Sequence, residues 1–328
     1  MSAPKSFEAL ALVNESNFEN IALLLFQQQA TENLVYASYL RHLGVLPTKI
    51  TSIDQIPFLP IGFFKTHSIQ TGHWRPETVF TSSGTTGATV SRHLVQNMDF
   101  YLWHSQLLFE QFYGSLSQFH LLALLPSYLE REGSSLIAMI DSFIKRTQSP
   151  HAGFYLYNQT DLIKKLNGLK SDRKKTLVWG VSFALLDLAE KNELDLSHCL
   201  LMETGGMKGR RQEWVREELH RFLCTRFNVS TIHSEYGMTE LLSQAYSKGK
   251  GVFQCPSTLK IQIRDLNDPF TVLANGKTGL ISVIDLANTH SCAFIQTQDL
   301  GRVTQNGSFE VLGRMDNSDV RGCNLLVE

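Results

Sequence analysis

The sequence predicts an α/β fold with a largely parallel sheet, followed after about residue 250 by a small β lobe. Two observations support this prediction. Up to that point, short buried apolar runs alternate with amphipathic helical segments. Beyond it, apolar and polar residues alternate in short segments separated by turn signals such as Asn275-Gly276 and Asn306-Gly307.

Helices are predicted where apolar residues recur at spacings of three and four. They cover residues 7–43 up to Gly44, residues 97–113, residues 133–147, a segment ending near Lys191, and a strongly charged helix over 209–227. The run IPFLPIGFF at 56–64 is apolar but punctuated by proline and glycine. It predicts an extended segment packed on the core.

Strands are predicted where apolar runs are bounded by turn residues. In the first part of the chain they cover residues 79–81, 91–95, 120–126, 176–182, 199–206 and 229–232; in the β lobe they are LKIQIRD, GLISVIDL and FEVLGR. These elements divide the chain into three segments. We expect an N-terminal helical segment (1–75), an α/β core (76–249) and the β lobe (250–328).

Composition narrows the class of protein. With 43% hydrophobic and 19% charged residues, a chain of 328 residues can bury a large core. Its net charge of −1 and the absence of a basic block make nucleic acid an unexpected partner. No apolar run reaches membrane-spanning length and no signal peptide is visible. Five cysteines without a CxxC motif argue against a disulfide framework or a zinc cage, so a reducing cytoplasm is expected.

One segment, TSSGTTG at 81–87, consists only of serine, threonine and glycine and lies between two predicted strands. Backbone N–H groups of a glycine loop can converge on an anion, and hydroxyls add donors, so phosphate binding is one interpretation. A solvated hairpin turn is the other, because turns use the same residues. No lysine follows Gly87, which excludes a Walker A loop.

Four further motifs follow this segment along the chain. They are TGGMKG at 204–209, HSEYGMTE at 233–240, Gln298-Asp299 followed by Leu-Gly-Arg, and GRMD at 313–316. In this order the five motifs resemble those of the adenylate-forming enzymes, which include acyl-CoA synthetases, firefly luciferase and adenylation domains of nonribosomal peptide synthesis. The resemblance implies ATP and Mg²⁺ as cofactors and a fold like the large N-terminal domain of those enzymes.

Within that superfamily the chain most resembles the acyl-protein synthetases of bacterial luminescence, which are related to phenylacetate–CoA ligase. The resemblance covers nearly the whole chain and is carried by PSYLEREGSSLIAMI (126–140), WGVSFALLD (179–187), ETGGMKGRRQE (203–213) and VRGCNLL (320–326). It implies ATP-dependent activation of a carboxylic acid, and a fatty acid is the expected substrate. The acyl group would then pass to a cysteine of the same chain and on to an NADPH-dependent reductase or an acyltransferase partner.

The resemblance also implies roles for individual residues. The β- and γ-phosphates would be held by Ser82, Ser83, Gly84, Thr85, Thr86 and Gly87. The adenine would lie against Gly205 and Gly206. The remaining nucleotide contacts would come from Tyr236, Gly237, Thr239 (α-phosphate), Asp299 (ribose hydroxyls) and Arg314 (ribose or phosphate). Glu240 would bind Mg²⁺, which prefers carboxylate and phosphate oxygens.

Each of these roles has a simpler alternative. Glu240 could be a carboxylate at a helix start, where the dipole favours it. Asp299 could be a turn residue, and Arg314 could form a surface ion pair. His233 could face the substrate carboxylate or be a structural histidine.

Two residues complete the predicted catalytic set. Cys323 matches the acyl-carrying cysteine of the luminescence enzyme, and the neighbouring Arg321 could favour its thiolate; a buried cysteine is the alternative. The chain ends just past the hinge motif, without the C-terminal domain that carries the catalytic lysine in most adenylate-forming enzymes. Lys208 is the candidate to replace it, with a solvated helix start as the alternative.

Two other functions stay open at this point. The chain could be an acyl-adenylate ligase that delivers the acyl group to CoA or to an acyl carrier protein. It could also be a relative that binds nucleotide without catalysis.

Overall fold

The structure is a computed structural model that describes residues 10–83, 89–125, 133–205 and 214–315. Its α-helices are α1 (Glu15–Glu32), α2 (Leu34–His42), α3 (Phe63–Thr66), α4 (Met98–Tyr113), α5 (Ser135–Thr147), α6 (Gln159–Gly168), α7 (Ser182–Lys191) and α8 (Arg216–Phe227). Its strands are β1 (Leu59–Pro60), β2 (Thr78–Thr81), β3 (Arg92–Val95), β4 (Phe119–Leu124), β5 (Gly153–Phe154), β6 (Lys175–Val181), β7 (Cys199–Thr204), β8 (His233–Tyr236), β9 (Ala245–Ser247), β10 (Val252–Phe253), β11 (Leu259–Arg264), β12 (Gly279–Asp285), β13 (Phe294–Val303) and β14 (Phe309–Arg314). Within the described ranges, no helix combines the length and the apolar character needed to cross a bilayer.

The first sheet has the strand order β5-β4-β6-β7-β8-β9 and is parallel except for β9. Strands β4 and β6 are buried on both faces, as expected from their continuous apolar sequences. Trp179 of β6 contacts Phe109 of α4 and Phe143 of α5. The next residue, Gly180, points to the opposite face, where an added Cβ would lie 2.8 Å from Leu185 Cγ in α7. Helices therefore cover both faces of this sheet.

The second sheet has the order β10-β14-β13-β12-β11. Strand β1 pairs in parallel with β13, where Leu59 lies opposite Ile295. Because β12 occupies one side of β13, β1 and β14 share its other side end to end. The extended segment predicted at 56–64 thus forms β1, but its last residues turn into α3.

Helices α1 and α2 lie against this second sheet. Phe294 of β13 contacts the rings of Phe26 and Tyr36, with centroids 5.9 and 6.2 Å away. Asn33 separates the two helices: its Oδ1 accepts the Tyr36 N–H (3.0 Å) and its Nδ2 donates to the Ser291 carbonyl (3.0 Å). The helical prediction for 7–43 is confirmed from Glu15 onward, with this one interruption.

One strand prediction in the first sheet is wrong. The strand predicted at 229–232 lies instead at His233–Tyr236, because Asn228 ends α8 in a left-handed conformation and the chain pairs with β7 only from Met202 opposite His233. The charged helix predicted over 209–227 is confirmed from Arg216 to Phe227, while Trp214 and Val215 before it are not helical. Residues 209–213 lie outside the described residues. In the second sheet, β13 was not predicted because its middle, Gln296–Asp299, is polar.

The buried indole of Trp179 provides a test of the packing between the first sheet and its helices. Trp179 is 0% exposed, so Trp179→Ala should lower the free energy of unfolding by about 3–5 kcal/mol through lost burial and a cavity. Trp214 is 39% exposed, and Trp214→Ala should change it by only about 0.5 kcal/mol. Urea denaturation followed by circular dichroism measures both. Equal shifts for the two variants would contradict this packing.

Candidate active site

The candidate site lies where the parallel strands of the first sheet end. In α/β sheets, ligands bind at the carboxyl edge of the strands. Thr204 ends β7 and is followed by Gly205; Tyr236 ends β8 and is followed by Gly237. Both segments that the resemblance assigns to the nucleotide therefore leave the sheet at the same edge.

The segment TSSGTTG begins at Thr81, the last residue of β2, which pairs with β3 as an antiparallel hairpin. Beyond the last paired residues of these strands, Ser82 N donates to the Ser91 carbonyl (3.1 Å) and Ser91 N donates to Ser82 Oγ (2.9 Å). Ser83 is exposed. The hairpin interpretation thus describes the strands correctly, and it leaves phosphate binding at the tip open. Gly84, Thr85, Thr86 and Gly87 lie outside the described residues.

The loop from Gly237 to Gln244, which we call the β8–β9 loop, is fixed by side chains from other elements. The carbonyl of Thr239 accepts a hydrogen bond from His93 Nδ1 in β3 (2.8 Å). The carbonyl of Glu240 accepts one from Asn288 Nδ2 (2.8 Å), just after β12. Two consecutive carbonyls of the loop are therefore bound by side chains from the hairpin and from the second sheet.

Asp285, at the end of β12, binds the same loop through its amides. Its Oδ2 accepts the N–H groups of Leu242 (2.8 Å) and Ser243 (3.0 Å), and its Oδ1 accepts the Ser243 hydroxyl (2.6 Å). The side chain is fully buried, and this burial raises the pKa of the carboxyl despite the four hydrogen bonds that it accepts, the fourth from Ala287 N. The loop is thus attached to the second sheet.

Glu240 is a buried carboxylate near several cationic groups. Its side chain is 5% exposed and is hydrogen-bonded by the Ser91 hydroxyl. Burial raises the pKa of Glu240, and the charges of Arg314 and Lys65 partly offset the increase. The residue lies in a turn, not at a helix start, so that alternative is wrong. A carboxylate that is costly to bury fits a divalent cation as its partner.

Asp299 and Tyr236 bring the two sheets together. The Tyr236 hydroxyl donates to Asp299 Oδ2 at 2.9 Å. Asp299 lies within β13, directly opposite Arg314 in β14, so the turn alternative for Asp299 is wrong. Burial raises the pKa of Asp299, while the Tyr236 hydroxyl, Arg314 and Arg216 act in the other direction. Its carboxylate is therefore available to hydroxyl donors such as those of ribose.

Arg314 is exposed and close to both acids. Its Nη2 donates to Gln298 Oε1 (3.2 Å), and its charge partly offsets the rise that burial causes in the pKa of Asp299 and of Glu240. Within the described part of the chain, no ion pair at short range engages its guanidinium. This position suits contact with a ribose or a phosphate better than a surface ion pair.

Gly237 is glycine because Glu235 lies against it. A Cβ at Gly237 would come within 2.3 Å of Glu235 Oε1. The other carboxylate oxygen of Glu235 accepts a hydrogen bond from the Thr204 hydroxyl, at the end of β7. A side chain at position 237 would therefore displace a buried acid that links β7 to β8.

His233 lies at the amino end of β8, away from the other candidate residues. About four residues of extended chain, roughly 13 Å, separate it from Gly237. Its Nδ1 is 3.3 Å from the Tyr113 hydroxyl, and burial together with Lys248 lowers its pKa to about 4. These contacts favour the structural role over contact with the substrate carboxylate.

Some residues predicted for the site lie outside the described part of the chain, and some residues that the structure brings to the site were not predicted. Gly206, Lys208 and Cys323 lie outside the described residues. The residues that sequence reasoning missed are Ser91, His93, Asp285 and Asn288. Ser91 and His93 are two residues apart, so on a strand they share one face. Two polar residues on one strand face beside the hydroxyl-rich loop were the signal from which their place in the site could have been predicted.

Sequence comparison identifies one family. The profile of the acyl-protein synthetases, LuxE, matches residues 161–328, which is more than half of the chain. No curated protein sequence matches the chain at a significant level.

Structure comparison finds enzymes of the adenylate-forming type. They include ATP-bound MatB from Rhodopseudomonas palustris (TM-score 0.54, 16% identity), MenE, an O-succinylbenzoate coenzyme A synthetase, from Bacillus subtilis in complex with AMP (0.51, 19%), and the long-chain-fatty-acid–CoA ligase FadD1 from Archaeoglobus fulgidus (0.52, 17%). The matches cover 74%, 75% and 72% of this chain and 49%, 51% and 51% of those proteins.

The chain thus spans about half the length of the solved structures that it matches. At these identities the similarity shows a common fold, and it confirms the expected likeness to the N-terminal domain of adenylate-forming enzymes. The profile match over more than half of the chain shows the family: the chain belongs to the LuxE acyl-protein synthetases.

Proposed function

We propose that this protein activates a carboxylic acid with ATP, forming acyl-AMP and releasing pyrophosphate. The observation that carries the proposal is the meeting of Glu240, Asp299 and Arg314 at the carboxyl edge of the first sheet, where two buried acids lie near one exposed cation. ATP or AMP is bound in solved structures of similar fold, MatB and MenE. Membership of an acyl-protein synthetase family supports an acid as the second substrate.

In the proposed reaction, a carboxylate oxygen attacks the α-phosphorus of ATP. The bond from this phosphorus to the oxygen bridging the α- and β-phosphates breaks, and pyrophosphate leaves with the bonding electrons. The protein would supply fixed donors and charges for this step and no covalent group. Ser82, Ser83 and the loop tip would hold the leaving phosphates, and Thr239 would contact the α-phosphate.

The remaining contacts would orient the nucleotide. Asp299 would accept both ribose hydroxyls, with its carboxylate held by the Tyr236 hydroxyl. Gly205 and Gly206 would pass over the adenine without a side chain between them and the ring. Glu240 would hold Mg²⁺, which when bound neutralises phosphate charge. Arg314 and Lys65 are described cations whose charge reaches Glu240, and Lys208 is the further candidate for the α-phosphate.

The acyl group would then pass to the thiol of Cys323. The sulfur attacks the acyl carbon, the bond to the AMP oxygen breaks, and a thioester and AMP result. The cysteines within the described residues are poor acceptors, because burial raises the pKa of Cys199, Cys255 and Cys292 to about 12 and also raises that of Cys224. This supports Cys323 as the acceptor. A fatty acid as substrate, and a reductase or acyltransferase as the next protein, follow from the family.

The activation step is tested by acid-dependent ATP–pyrophosphate exchange with a panel of fatty and aryl acids. Glu240→Gln should lower kcat/KM for MgATP by about 10²–10³-fold, because the carboxylate that would hold Mg²⁺ against the phosphates loses its charge. Glu193→Gln is the matched control, since Glu193 is exposed and pairs only with Arg226 at 3.5 Å in the described structure. Wild-type protein that fails to exchange with every acid would contradict the proposed function.

The transfer step is tested by intact-protein mass after incubation with MgATP and acid. An acyl adduct should appear only with ATP, should be released by hydroxylamine, and should be absent from Cys323→Ala. Cys224→Ala, at a half-buried helical cysteine, should retain it. If Cys323→Ala keeps the adduct, the assignment of this cysteine is wrong. If acyl-AMP forms without any adduct and added CoA or acyl carrier protein is acylated, the acceptor is another molecule.

A further inference from the structure

Strand β3 directs two polar side chains at the β8–β9 loop. Ser91, just before the strand, and His93 within it are two residues apart and so share one face. The Ser91 hydroxyl binds the Glu240 carboxylate, and His93 Nδ1 binds the Thr239 carbonyl at 2.8 Å. Both side chains are at least 97% buried. One short strand therefore contacts the side chain and the backbone of the predicted metal-binding motif.

The geometry fixes the state of His93. The partner of Nδ1 is a carbonyl oxygen, which only accepts, so Nδ1 carries the proton. Burial keeps the ring neutral, with its pKa lowered to about 4. The ring also packs edge-on against Phe64 of α3, with centroids 5.8 Å apart. The orientation of the imidazole is therefore set by packing against Phe64 and by hydrogen bonding to the Thr239 carbonyl and to the Asn288 side chain.

This bond joins two parts of the site that are far apart in sequence. The TSSGTTG segment begins in β2, and its Ser82 is bonded to Ser91, next to β3. The β8–β9 loop carries Thr239 and Glu240. Ser91 and His93 thus connect the hairpin directly to the loop that carries the Glu240 carboxylate.

We propose that His93 is a positioning residue: its Nδ1–H bond to Thr239 sets the position of Glu240 relative to the phosphate-holding hairpin, so that the metal ligand and the phosphate loop act as one unit. The predicted effect of His93 on activity rests on the proposed function, because it requires ATP-dependent activation of an acid. It concerns a residue that would touch neither nucleotide nor metal, and whose effect would reach both through the loop. Residues that orient a metal ligand typically change metal affinity or activity by about 10–100-fold when replaced.

Three substitutions separate positioning from packing. In His93→Asn the amide nitrogen takes the place of Nδ1 and keeps the donor. In His93→Gln the nitrogen takes the place of Nε2, so the bond to Thr239 is lost while more of the volume is filled. His93→Leu fills the volume without a donor. Packing alone predicts that Asn is the most harmful change, because it leaves the largest cavity; positioning predicts that it is the least harmful.

The experiment measures ATP–pyrophosphate exchange and the deuterium uptake of the peptide containing residues 237–244 in all three variants. We expect kcat/KM for MgATP to fall by about 10–100-fold in His93→Gln and His93→Leu, and by less than about threefold in His93→Asn. Deuterium uptake should rise in the same order, because a loosened loop exposes the Leu242 and Ser243 amides that Asp285 binds.

A control histidine accounts for general destabilisation. His120 is 4% exposed and uses its Nδ1 to bind Ser149 Oγ (2.6 Å), but it lies at the amino end of β4. His120→Leu should lower the thermal midpoint and leave exchange and loop uptake unchanged. The proposal is overturned if the His93 variants rank by cavity size, or if all three match wild type. A wild-type protein without exchange activity would refute the proposed function alone, since deuterium uptake still tests His93.

Discussion

The hydrogen bonds of the buried Asp285 carboxylate are the constraint on which the rest of the site depends. A loop that leaves a parallel sheet has backbone groups that need partners, and burying them unpaired is costly. Here the second sheet supplies them: Asp285 binds the amides of Leu242 and Ser243, and Asn288 binds the Glu240 carbonyl. The β8–β9 loop, which carries Glu240, is consequently held between two sheets.

This arrangement concentrates negative charge in a partly dehydrated place. Burial raises the pKa of both Glu240 and Asp299, which means that their ionised forms cost more free energy there than in water. Arg314 offsets part of that cost for each acid without forming a close pair with either. Such a site is completed by groups that bind carboxylates: a divalent cation for one and hydroxyl donors for the other. The chemistry of a magnesium nucleotide meets both needs.

Sequence reasoning located the residues that belong to motifs and missed the residues that hold them. The apolar strands β4 and β6 were predictable because buried parallel strands are continuously hydrophobic. The polar strand β8 was not, since Ser234 and Glu235 owe their burial to neighbouring strands and helices. His93 and Thr239 are 146 residues apart in the chain, and Ser243 and Asp285 are 42 apart. No local periodicity reports such contacts. Motif order did pair Tyr236 with Asp299, because the resemblance assigned both to one nucleotide.

The transfer of a carboxylate oxygen from the acid to AMP is the most direct test of the proposed attack on the α-phosphorus. The protein would be incubated with MgATP, hydroxylamine and an acid that supports exchange, with the acid labelled by ¹⁸O in its carboxylate, and the nucleotide products would be analysed by mass spectrometry. Attack of the carboxylate on the α-phosphorus predicts AMP that carries one labelled oxygen, with pyrophosphate unlabelled. Label found in inorganic phosphate together with ADP would mean activation at the γ-phosphate, and unlabelled AMP would mean attack by water; either result would contradict the proposed reaction.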